Sequence, residues 1–256
     1  MKYENNFTPI PNCLKKEIPY HLHIFYSFAI RLQTIRREKA FEKRIENEDN
    51  SETLALINVN EIAKKLNIDY KTAKKYCEEL TQYGLFYHND KDPQYENTYE
   101  ANAIDPRGAF DKEYNIYAYP SQPASCMKQL IGIYLSGNRC FSSSDDIKIR
   151  GGFTKLPDEI LYNKELSYQE KTWWYMLSVV AEYKTKALLS VKTTFELPYK
   201  NDNDAKKAIR EKILKLVEKG YIRKYITSKV GIELEMSVEK VDEESQIIQT
   251  MSKKEK

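Results

Sequence analysis

Apolar residues recur along this chain at two spacings, and the switches between them mark out its elements. From Pro19 to about Arg44 the spacing is helical: Leu22, Phe25, Phe28, Ala29 and Leu32 share a face, while Arg31, Arg36, Arg37, Lys39, Lys43 and Arg44 crowd the later half. A polar, acidic break over Glu46–Glu52 follows. Leu54–Val59 is a short apolar run that predicts a buried strand, and Asn60 is placed to cap the next helix, Glu61–Leu66, with Ile62, Ala63 and Leu66 inward. The turn Asn67-Ile68-Asp69 leads into a second helix that Asp69 caps and that runs to about Tyr83. Its inward stripe is Ala73, either Tyr76 or Cys77, and Leu80; Tyr70, Lys71, Lys74, Lys75 and Glu78 face outward. Gly84 supplies the left-handed stop that many helices end on, and Leu85-Phe86-Tyr87 begins a strand. The returning strand is either Asn97–Ala103 or Tyr114–Tyr119, and Pro106-Arg107-Gly108 has turn chemistry that puts Arg107 at a hairpin tip.

The pattern is then broken and resumed. Ser121-Gln122-Pro123, Ser136-Gly137-Asn138 and Gly151-Gly152 are loop signals, so 120–152 reads as a connector. Met127, Leu130, Ile131, Tyr134 and Leu135 predict one helix inside it, packed either on a module or across a dimer seam. Further on, Ser167 and Glu170 have capping-box spacing ahead of an apolar face of Trp173, Trp174, Leu177, Val180 and Ala181. Two adjacent tryptophans do not both fit one narrow core, so one of them is expected to cover the connector or a partner, with packing favoured over a base-stacking role. Leu188-Leu189-Ser190-Val191 predicts a short strand, and Pro198 leaves Thr193–Tyr199 a poor helix. Asp202 or Asp204 can cap the next helix, whose inward stripe is Ala205, Ile209, Ile213 and Leu216. Tyr221–Thr227, the turn Ser228–Gly231 and Ile232–Val238 predict a hairpin by strict alternation. From Glu239 the chain is polar and predicts a disordered or weakly helical tail.

The two halves repeat one another. Phe7-Thr8-Pro9-Ile10-Pro11 returns as Phe153-Thr154-Lys155-Leu156-Pro157, and Leu80–Phe86 returns as Leu216–Ile222 around Gly84 and Gly220. The expected organisation is a first domain at 1–119, the connector, a second domain at 153–238 and a tail at 239–256. The length of 256 residues allows two such cores. Net charge is only +3, so a polyanionic partner has to be argued from where the charge lies. Lys200–Lys224 carries nine basic residues against four acidic ones. Cys13, Cys77, Cys126 and Cys140 have no metal or disulfide spacing, and His21 and His23 fall on different helix faces. No nucleophile, phosphate-loop or paired-acid motif is present, which argues against an enzyme, a metal site or a cofactor. The opening residues lack a signal-peptide core and no apolar run reaches about 18 residues, so the expectation is a cytoplasmic protein without a membrane partner.

Strand, short helix, three-residue turn, second helix, glycine, strand: carried by EIAKKLNIDYKTAKKYCEELTQYGLF, this order resembles the winged helix-turn-helix family. The resemblance implies an α+β, mainly α fold of two tandem winged-helix domains, each with three helices and a β-hairpin wing. It also implies that the second helix of each pair enters the major groove of double-stranded DNA. Tyr70, Lys71, Thr72, Lys74 and Lys75 then become the DNA-contacting residues of the first domain, with Arg107 from the turn. Lys206, Lys207 and Arg210, with Arg223, Lys224 and Lys229 from the hairpin, do the same in the second. Tandem modules behind an F-x-x-I/L-P entry resemble plasmid- or phage-encoded replication initiators, which bind repeated origin sites and recruit host replication proteins. A transcriptional regulator on the same modules is an alternative, as are protein-interaction modules of a larger assembly, and a homodimer is open. The expected division of labour has the first domain reading sequence and the second adding phosphate affinity.

Overall fold

The computed structural model describes residues 7–11, 14–47, 56–88, 97–101, 153–182, 188–228 and 231–249. The fold is mixed α+β, helices with small sheets, and divides into two compact units, Met1–Lys155 and Leu156–Lys256. Both the 120–152 connector and Arg107 fall outside the described residues.

In the first unit, β1 (Phe7–Pro11) and the short α1 (Leu14–Glu17) lead into α2 (Tyr20–Asn47). This helix is less one-sided than its spacing predicts. Leu22 to Ile30 is buried without interruption, including His23, Tyr26 and Ser27, as in a helix enclosed on all sides. β2 is only Ile57–Asn58, because Val59 already turns into α3 (Val59–Leu66). Asn58 rather than Asn60 is the cap: its side-chain oxygen accepts from the Asn60 and Glu61 amides. Asn67 follows in the left-handed region at φ 58°, a conformation asparagine tolerates. Asp69 caps α4 (Tyr70–Gln82) as expected, and Cys77, not Tyr76, completes the buried stripe with Ala73 and Leu80. Gly84 takes φ 70° and turns the chain into β3 (Phe86–His88). β4 is Thr98–Ala101, which settles the return strand in favour of the nearer candidate. It pairs antiparallel with both β2 and β3, so the hairpin closes between His88 and Thr98.

The strand β5 (Phe153–Pro157) pairs with β1, and the unit boundary falls within it. The second unit continues with α5 (Asp158–Leu161) and α6 (Tyr168–Glu182). The capping box forms: the Ser167 amide donates to Glu170 Oε2 at 2.8 Å and the Glu170 amide to Ser167 Oγ at 3.3 Å. Both tryptophans are enclosed, Trp173 at 3% and Trp174 at 4% exposure, which agrees with packing over base stacking and corrects the expectation that only one of them is interior. α6 is buried at every position from Lys171 to Leu177, so neighbouring side chains can both be interior. Trp174 satisfies its indole N–H on the Ser237 carbonyl at 2.9 Å.

Three further elements differ from expectation. Leu188–Val191 is not a strand; Leu189–Thr194 forms α7, with Leu188, Val191 and Phe195 buried along one helical stripe. A four-residue apolar run fits either period, and here the later Phe195 decides it. The cap of α8 (Asp202–Glu218) is Asn201, whose Oδ1 accepts from the Asp204 amide at 2.9 Å. Finally, residues 239–249 are not the disordered or weakly helical segment expected. A 3-10 turn at Glu243–Ser245 leads into β8 (Ile247–Gln249), which lies parallel to β6 (Ile222–Ser228), itself antiparallel to β7 (Gly231–Met236). Gln246 anchors that return: its Nε2 donates to the Val217 and Ile222 carbonyls, each at 2.9 Å.

Candidate nucleic-acid interface

Two lysine-bearing helix faces are the strongest candidates for a site, one in each unit. On α4, burying Ala73, Cys77 and Leu80 turns Lys71 and Lys75 fully outward and leaves Lys74 on the flank. The remaining polar groups at this end are already engaged. The Tyr70 hydroxyl donates to Asn97 Oδ1, tying the start of α4 to the start of β4. Thr72 donates its hydroxyl to Asp69 Oδ2 and its amide to Asp69 Oδ1. Those two Thr72 bonds hold the exposed Asp69 carboxyl below its ordinary range. Thr81 back-bonds to the Cys77 carbonyl at 2.9 Å. Of the five first-unit residues expected to touch DNA on this helix, the lysines therefore present themselves to solvent, and Tyr70 and Thr72 serve the local structure.

A carboxylate borders the same face. Glu79 accepts from His21 Nε2 at 2.8 Å and lies 3.6 Å from Lys75. His21 and Phe25 flank the half-buried Tyr76 ring at 5.2 and 5.5 Å, joining α2 to α4. Burial of Tyr76 raises its phenol above the ordinary value, with Glu79 adding to the rise. Two arginines of α2 are also structural: Arg31 donates to Thr8 Oγ1 at 2.9 Å, and Arg36 pairs with Glu61 and the Leu56 carbonyl.

On α8 the exposed stripe is Asn203, Lys207, Arg210 and Leu214, with Lys206 on the flank. Aligning the two glycine stops, Gly84 with Gly220, matches Lys206 with Tyr70, Lys207 with Lys71 and Arg210 with Lys74. α8 then starts one turn earlier than α4, and Asn203 stands in that extra turn. Asn203 is absent from the residues expected to touch DNA; the only signal that finds it is the offset between the two glycine stops. Arg210 lies against the buried Tyr225 of β6: burial raises the Tyr225 phenol, and the charge and hydrogen bond of Arg210 offset part of that rise.

The hairpin of the second unit carries its basic residues opposite glutamates. Arg223 Nη1 is 3.6 Å from Glu235 Oε1 and Lys224 Nζ 2.6 Å from Glu233 Oε1. Such exposed pairs are weak and break readily for a better anion. Lys229 lies outside the described residues. Lys219 is committed elsewhere, donating to the Glu165 carbonyl and to Glu170, each at 2.8 Å. Burial alone would raise Glu170, but the bonds from Lys219 and Ser167 outweigh it and hold the carboxyl below its ordinary range.

Among the described residues, no group of three or more His, Cys, Asp or Glu is placed to hold a metal ion, and no helix is long and apolar enough to cross a membrane. Cys77 is buried, and burial pushes its thiol up, away from the reactive thiolate. Comparison with protein-family models, curated proteins and solved structures finds no match.

Proposed function

We propose that this chain binds double-stranded DNA through two tandem winged-helix modules, with α4 and α8 as the groove-facing helices. The observation that carries the reading is the recurrence of one exposed basic stripe on the second helix behind the same glycine stop, Lys71, Lys74 and Lys75 in one unit and Lys206, Lys207 and Arg210 in the other. Lysine and arginine on such a face suit phosphate oxygens. Two modules on one chain favour repeated target sites, as at the origin bound by a plasmid- or phage-type replication initiator. Host replication proteins are then the expected protein partners.

Fluorescence anisotropy over a salt series tests this directly. The full chain is expected to bind duplex DNA with affinity that falls several-fold for each doubling of salt. Absence of duplex binding at low salt would refute the reading.

A further inference from the structure

We infer that sequence discrimination resides in α8, with Asn203 and Arg210 reading base edges, while α4 supplies phosphate contacts. This rests on the duplex-binding reading and reverses the division of labour expected from the sequence. Base edges are read by side chains with paired donors and acceptors, asparagine or glutamine against adenine and arginine against guanine, and the N-terminal turns of the helix reach deepest.

On α4 those turns offer Lys71, Lys74 and Lys75, which are point charges, together with Tyr70 and Thr72, whose hydroxyls are already donated to Asn97 and Asp69. Gln82, the one amide on this helix, is its last residue. On α8 the arrangement differs at each point. The extra N-terminal turn adds the exposed Asn203. Lys74 is replaced at the matched position by Arg210, whose planar fork can grip two acceptors at once. One turn on, Leu214 is 41% exposed on the same stripe, the kind of apolar surface that meets a thymine methyl.

The full chain is first used to enrich duplexes from a randomised library. Affinity is then measured for one enriched duplex and for its scrambled counterpart. Arg210→Lys and Asn203→Ala are each expected to weaken the enriched duplex about tenfold while leaving the scrambled one unchanged. Lys74→Glu is expected to weaken both duplexes alike. If Arg210→Lys and Asn203→Ala weaken both duplexes equally, or neither, the inference is overturned and duplex binding stands. If the wild-type chain binds duplex but enriches no sequence, the inference also fails. A wild-type chain with no salt-dependent affinity for any duplex removes the functional reading itself.

Discussion

At the scale of single residues, two buried titratable side chains, one in each unit, make stability rise with pH in separate windows. His23 is fully enclosed, its Nε2 donating to the Ile18 carbonyl at 3.0 Å, and burial lowers its pKa from 6.5 to about 4. The unfolded chain takes up that proton near 6.5 and the folded chain does not, so the stability this residue contributes is present above pH 6.5 and is lost as pH falls toward 4. Chemical denaturation between pH 7 and 4 is expected to show a loss of up to about 3 kcal/mol from this group, absent in a folded His23→Gln variant. Lys171 on α6 works in the same direction at higher pH. Burial lowers its pKa to about 8, so between pH 8 and 10.5 the unfolded chain holds a proton the folded one has shed. Stability therefore rises with pH across that window. Lys171→Met is expected to stabilise the chain by about 2 kcal/mol at pH 7, with the gain fading toward pH 10.5. A calorimetric series in which Lys171→Met melts below the wild type at neutral pH would contradict this.

Among the elements, the glycine that joins α8 to β6 is the most constrained connection. Gly220 sits at φ +83°, and a Cβ there would come within 2.7 Å of the Val241 carbonyl oxygen and 2.9 Å of Lys240 Cγ. Gly220→Ala combines a conformation that L-residues avoid with a backbone clash, so a loss of at least about 2 kcal/mol in thermal unfolding is expected. Ser167→Ala, which opens only the capping box, is expected to lose about 1 kcal/mol. These punctuation marks were the most legible part of the sequence: Asp69, Gly84, Ser167 with Glu170, and Gly220 all act where their chemistry places them, because a cap or a left-handed stop is decided by one residue. The stripes Ala73–Leu80 and Ala205–Leu216 were legible for a similar reason, since each repeats one period over several turns. Short elements were not. Leu188–Val191 holds too few residues to separate a strand from a helix, and β8 is three residues whose place depends on Gln246 reaching the Val217 and Ile222 carbonyls. The local bonds of Tyr70 and Thr72 were not legible either, because the groups that meet their hydroxyls are set by β4 and by the cap.

At the scale of the whole molecule, the mixed α+β character and the small sheets follow from the alternation of helical and strand periods, whereas the net charge of +3 says little about partners. What the charge does reveal is local, in the lysines of α4 and the lysines and arginine of α8 that turn away from their cores. The central claim is that these two faces contact duplex DNA together. Its most direct test is the salt dependence of duplex affinity for the wild-type chain, Lys74→Glu and Lys207→Glu, read from the slope of log affinity against log salt. Each substitution is expected to weaken binding at every salt concentration and to reduce the slope by about 1 or more. An affinity and slope that neither substitution moves would contradict the claim.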